Sequence, residues 1–198
     1  MYSISGKTLL EEREKMLVRL ERRFMGLNRQ VGRLLSVLLV LMVCNVFYDV
    51  VMRYFLHNSS VGMQELEWHF FGVIILYGIS VALLDEAHVR VDFVYERFNS
   101  RTRAWINIVG TILFLLPLAL LILFGSLDFV KDAYVIKEIS QDPGGLHYRW
   151  LIKAMIPLSF GYLVFCSLGY VIKNINRLRE PTTDFKSTGA GASREGSP

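Results

Sequence analysis

Residues 63–92 read MQELEWHFFGVIILYGISVALLDEAHVRVD. The stretch opens with Glu65, Glu67 and Trp68, runs apolar from Phe70 to Leu84, and closes on Asp85, Glu86, His88, Arg90 and Asp92. Between Leu66 and Leu84 only Glu67 carries a full charge. A hydrocarbon core about 30 Å thick requires roughly 20 apolar residues of helix. The pattern therefore predicts a transmembrane helix with a polar anchor at each end, with the rest of the chain arranged around it.

The two ends of this helix differ electrostatically. Glu65 and Glu67 are expected in the first turn, where the positive end of the helix dipole favours anions. Asp85 and Glu86 fall at the opposite end, where the same dipole disfavours them. His88, Arg90 or a basic group of a partner could offset them, or they could be solvated ion pairs worth roughly 0–1 kcal/mol.

Working outward, the 198 residues are 53% hydrophobic and 13% aromatic, and the apolar residues arrive in long blocks. The blocks at about 34–55, 66–84, 105–127 and 150–172 are each long enough to cross a bilayer. The fold class is thus an all-α membrane protein with four transmembrane helices. Cys44 and Cys166 fall inside apolar blocks and read as small buried hydrophobes, with no disulfide framework or metal site implied.

The net charge of +4 is unevenly spread. Residues 1–33 hold eight Lys or Arg, the connection 57–65 holds none, and the connection 85–103 holds Arg90, Arg97, Arg101 and Arg103. Lys131, Lys137 and Arg149 in the third connection are diluted by Asp128, Asp132, Glu138 and Asp142. The positive-inside rule places both termini and the 85–103 connection in the cytoplasm, and the first and third connections outside. That distribution suits a membrane rather than nucleic acid.

The N-terminal segment lacks a short apolar region with a small-residue cleavage site, so a removable signal peptide is not expected. Leu17, Leu20, Phe24, Leu27, Val31 and Leu34 recur in steps of three and four opposite a basic face. The expectation for residues 1–33 is a cytoplasmic amphipathic helix on anionic lipid rather than a coiled coil, feeding into the first span. Residues 34–173 form the four-helix domain, and 174–198 read as a cytoplasmic, disordered tail.

Within the first span Asp49 and Arg53 are four apart, acid first, and meet on one helix face. They read as an orienting ion pair or a contact with a partner subunit. Val91, Val94, Tyr95 and Phe98 recur at helical spacing, which predicts a short amphipathic interfacial helix on the cytoplasmic face after the second span. Trp68, Trp105 and Trp150 mark the membrane boundary at three helix starts. Gly78 and Ala82 form a small-xxx-small pair that would admit another helix. The third helical pattern continues to about Lys137, with Pro117 expected to kink it, and Pro143-Gly144-Gly145 turns the chain back. Lys153 is expected to snorkel to the outer face.

Enzyme chemistry finds little support. No phosphate-binding glycine loop, no facing histidine pair for haem and no Ser/His/Asp set at one depth is present. The spans carry their charges at the ends and show no inverted repeat, unlike a complete transporter with central ionisable groups.

Three elements in order then carry a resemblance: GluLeuGluTrp at 65–68, HVRVD at 88–92, and EISQDPGGLHYRWLIKAMIPLSF from Glu138 to Phe160. Over about residues 33–175 the chain resembles the small membrane subunit (DctQ type) of tripartite ATP-independent periplasmic (TRAP) transporters. Asp85-Glu86 departs from the more basic character expected at that position. The resemblance implies a bacterial inner-membrane protein whose partners are a large membrane subunit and a periplasmic substrate-binding protein. It implies that the sodium and organic-acid sites lie in the large, elevator-type subunit, so no cofactor is expected here. Glu65, Glu67, Trp68, Gly78, Ala82, His88, Arg90 and Asp92, with Asp49, Arg53, Trp105 and Trp150, are then candidates for partner contacts or structural anchors. A stand-alone four-span assembly protein is the alternative.

The topology is directly testable. A cysteine introduced at Ser60 should react with an impermeant thiol reagent in intact cells, and one at Ser187 should react only after permeabilisation. Labelling at Ser187 in intact cells would reverse the assignment.

Overall fold

The computed structural model describes residues 3–85 and 98–179, with side chains from Met16 onward. Helix α1 spans Ser3–Phe55 and α2 spans Val61–Leu84. A third membrane-crossing rod is built from α3 (Ser100–Gly110), a π-helical turn (Thr111–Leu115) and α4 (Leu116–Val135). Helix α5 spans Trp150–Arg179. No strand occurs among the described residues, and four helices are long and apolar enough to cross a membrane. The chain is a multi-pass membrane protein. The interfacial helix expected after the second span, with Glu86, His88, Arg90 and Asp92, lies outside the described residues, as does the chain beyond Arg179.

The centre of the bundle is α5 rather than α2. Every other helix touches α5, whereas α4 packs against α5 and not against α1 or α2 to any comparable extent. Its buried residues include Ser159, Leu163, Cys166, Ser167, Gly169 and Asn174. Lipid is as apolar as leucine, so helices in a bilayer associate through close packing and polar bonds. Small and hydroxylated residues on α5 permit that approach, while Ser159 and Ser167 bond back to the Ile156 and Val164 carbonyls of their own helix. On α4 the buried residues are Ala119, Ser126 and Ala133, seven apart, so one smooth seam faces α5. Gly78 has no atom within 4 Å of the position a Cβ would take, so the chain does not use that small-residue face internally.

The N-terminal helix does feed into the first span: α1 runs unbroken from Ser3 through position 33 to Phe55. At about 1.5 Å per residue its 53 residues reach about 80 Å, well beyond a bilayer. Part of its apolar stripe packs on protein. The Phe24 and Phe165 rings lie 4.5 Å apart, and Phe24 sits over Gly169, where a Cβ would come within 2.7 Å of its ring. Asn28 is fully buried and donates to the Val81 carbonyl (3.2 Å) and Asp85 Oδ1 (3.3 Å), while the Tyr162 hydroxyl donates to its Oδ1 (3.2 Å). Leu27 and Leu34 of the same stripe are exposed.

One other boundary shifts. α5 continues six residues past 173, because Asn174 is buried between the Tyr170 carbonyl (2.9 Å) and Asn107 Nδ2 (2.9 Å). In the third rod, Pro117 cannot donate to the preceding turn and its ring crowds the carbonyl four residues back. The π turn at Thr111–Leu115 lies directly upstream of it and widens the helix there.

The Gly169 notch makes a prediction. Gly169→Val should push α1 off α5 and lower thermal stability in detergent by about 1–3 kcal/mol, the usual cost of overpacking. An unchanged melting midpoint would place residues 16–28 free of α5.

Candidate functional site

The polar groups gather at the two ends of the bundle. At the end where α1 begins and α5 finishes, the C-terminus of α2 is capped from within the chain. Lys173 Nζ donates to the Leu84 carbonyl at 3.1 Å, and Asp85 accepts from Asn28. A cation on α5 therefore supplies the charge that the α2 dipole favours at this end. His88 and Arg90 were candidates for that role on sequence grounds, and Lys173, 89 residues from its acceptor, was not. Trp105 is exposed at this end.

At the opposite end the connection 136–149 folds back over the start of α2. It begins with the backbone pattern of a helix stop: Glu138 N–H donates to the Ala133 carbonyl (3.0 Å) and Lys137 N–H to Tyr134 (3.2 Å). Lys137 takes the left-handed position, φ 49°, where glycine is usual. Ser140 N–H to Leu146 O and Arg149 N–H to Glu138 O, each 3.2 Å, close the two arms on each other. Gly144 supplies the turn at φ 83°, and Tyr148 is left-handed at φ 66°.

Glu65 holds this closed loop against the bundle. Its carboxylate is buried and accepts from the Ser140 hydroxyl and from the Leu146 N–H at 2.5 Å. Gly145 is packed so tightly that a Cβ would run into the Ser140 side chain and lie 2.9 Å from Glu65 Oε2. Gly62 on α2 passes less tightly: a Cβ there would lie 3.3 Å from the Gly144 carbonyl. His69 Nδ1 sits 2.5 Å from the Glu65 backbone carbonyl, so this nitrogen carries the proton. The first-turn expectation is thereby corrected. Because α2 starts at Val61, Glu65 lies beyond the first turn, and directed donors rather than the helix dipole hold its charge. Glu67, about 200° further round the helix, is half-buried and outside this cluster.

The neighbouring groups lock the same corner. Lys153 does not snorkel into open water: it pairs with Glu138 and lies 4.0 Å from the Phe129 ring centroid. Arg149 lies 3.9 Å from Glu138 and stacks its guanidinium 5.6 Å from the Trp68 ring centroid. Trp150 meets Tyr134 edge-on at 5.3 Å. On the adjoining helix Asp49 is buried and paired with Arg53, and Asn45 Nδ2 donates to the Met63 carbonyl at 2.9 Å. The structure thus brings Glu65, Trp68 and Trp150 into one corner and keeps Asp49 with Arg53 on α1. Ala82, like Gly78, lies outside both clusters. Sequence reasoning missed Ser140, Gly145 and the Glu138–Lys153 pair. The visible signal was an acid and a cation bracketing the Pro143-Gly144-Gly145 turn.

Between these ends the spans hold no Asp, Glu, Lys or Arg, and Ser80 Oγ is the one buried side-chain polar atom without a partner among the described residues. Nor do the described residues gather three or more His, Cys, Asp or Glu that could hold a metal ion. The arrangement defines a four-span membrane protein whose bonds between elements gather toward the helix ends. The chain belongs to the family described as tripartite ATP-independent periplasmic transporters, DctQ component, whose model matches residues 42–179. It is 26% identical over 135 residues to a TRAP transporter small permease protein of Haemophilus influenzae, covering 68% of this chain and 81% of that one. It is also 26% identical over 107 residues to the sialic acid TRAP transporter permease protein SiaT of Haemophilus influenzae. That second match covers 54% of this chain and only 17% of SiaT.

The Glu138–Lys153 contact can be checked with a double-mutant cycle on thermal stability. E138Q and K153M should each destabilise, and the double variant should lose less than their sum by about 0.5–3 kcal/mol, the range for residues in contact. Additive losses would mean that Lys153 stands in solvent.

Proposed function

We propose that this chain is the small, stationary membrane subunit of a sodium-driven, binding-protein-dependent transporter for organic acids. In this reading it sits in the bacterial inner membrane with both termini cytoplasmic. It anchors a large elevator-type permease subunit and offers the connection 136–149 to the periplasmic binding protein. The observation that supports it best is the distribution of polar groups. The buried side chains that bond between elements, Asn28, Asn45, Glu65 and Asn174, do so toward the helix ends, the buried hydroxyls of Thr111, Ser126, Ser159 and Ser167 bond within their own helices, and the mid-membrane region has no charged site for an ion or a carboxylate. Solute sites in secondary transporters need broken helices or central ionisable groups. The family membership supplies the transporter, and the match within a much longer permease supports a working position beside a large membrane partner.

The lipid-facing residues suit the same role. Phe47, Tyr54, Phe114, Leu121 and Phe124 are exposed on α1 and on the third rod, which leaves broad apolar faces for lipid and for the large subunit. Asp49, Arg53 and Glu67 lie on the α1–α2 side of the bundle, and we assign them to anchoring and partner contact there. No cofactor is required.

Two measurements test this. Purified from its native host in mild detergent, the tagged chain should bring down a very hydrophobic permease. Alone, it should show no sodium-dependent thermal shift, whereas a ligand at 100 times its dissociation constant would stabilise by about 2.7 kcal/mol. A shift of that size with sodium in the isolated chain would contradict the stationary-subunit reading.

A further inference from the structure

We infer that Glu65 is a positioning residue for capture of the binding protein, acting through the connection 136–149, with Tyr148 as the aromatic anchor of the docking surface. This rests on the function proposed above.

The connection is short, yet it contains two non-glycine residues in the left-handed region, Lys137 and Tyr148. Such conformations cost of order 1–3 kcal/mol each and persist where surrounding structure enforces them. Here the enforcing bonds are the two backbone closures and the two donors that converge on Glu65. Tyr148, 67% exposed, follows directly from this arrangement. A side chain left mostly exposed on a strained backbone is available to something outside the chain.

The surroundings favour a soluble protein over lipid as the occupant. Ile136 and Ile139 of the same connection are exposed, as are Lys137, Gln141, Asp142 and His147, which carry mixed charge. Exposed aromatic and aliphatic side chains among polar ones of both signs have the composition of a protein interface. An anionic lipid surface would call for cations instead. The connection also lies at the end of the bundle that the topology places outside. Glu65 itself is buried and reaches no partner directly. Its effect is on shape, because an ordered loop loses less freedom on docking than a loose one.

The test uses the assembled complex of this chain and its large subunit in nanodiscs, titrated against the binding protein from the same host that serves that complex. Glu65→Ala should weaken that affinity about tenfold and speed hydrogen exchange at the Leu146 amide. Ser140→Ala, which removes one donor and leaves the carboxylate, should do the same to a smaller degree and guards against a misfolded Glu65 variant. Tyr148→Ala should weaken affinity while leaving Leu146 protected. The Glu65/Tyr148 double variant should bind no worse than the weaker single, since one acts through the other. Faster exchange at Leu146 with unchanged affinity would overturn the inference alone. Wild-type complex that ignores the binding protein would overturn the docking reading along with it.

Discussion

A bilayer gives leucine no reason to leave lipid for another leucine, so this bundle depends on how closely other helices can approach α5. That helix meets the demand with small residues where neighbours cross. Gly169 receives the Phe24 ring, and Ala119, Ser126 and Ala133 of α4 form a seam against it. Polar side chains then set register: Tyr162 reaches Asn28, Asn174 reaches Asn107, and Lys173 reaches the last carbonyl of α2. Each bond links α5 to a different neighbour, so the helices cannot slide past one another without leaving buried polar groups unpaired, at about 1–3 kcal/mol apiece.

The same economy shapes the other end. Glu65 spends its charge on a loop 75 and 81 residues away, and Glu138 spends its charge on Lys153. Two fixed polar layers with an apolar middle make a body that resists internal rearrangement. Allosteric transitions need an element with two discrete arrangements, and no half-satisfied network within the described residues offers one. Such a body suits the proposed role of a stationary subunit beside a moving partner.

The four spans were legible in the sequence because the bilayer demands long apolar blocks, and those blocks are uninterrupted here. Their ends were less so. Val61-Gly62-Met63-Gln64 is neutral enough to belong to loop or helix, so Glu65 was expected in the first turn, whereas α2 begins at Val61. The basic stripe of residues 1–33 resembles a surface-lying helix, and only Gly169 across the bundle shows that Phe24 has a seat in protein. The Asp49–Arg53 pair was readable because it is local, four residues apart. The Glu65 clip was not, because its donors are a hydroxyl and a backbone N–H distant in the chain, and neither residue type announces a partner. The central helix was misjudged for a related reason: α2 carries the most conspicuous charges, while α5 carries the small residues that decide packing.

The central claim is that this chain keeps one shape while the transporter works. Spin labels at Ser60 and Arg179, with Cys44 and Cys166 replaced by serine, would report the distance between the two ends of the bundle in the complete complex. The account predicts a single distance distribution that is the same without sodium, with saturating sodium, and with sodium plus the binding protein. A second, sodium-dependent distance population would contradict it, because this chain would then be a moving part.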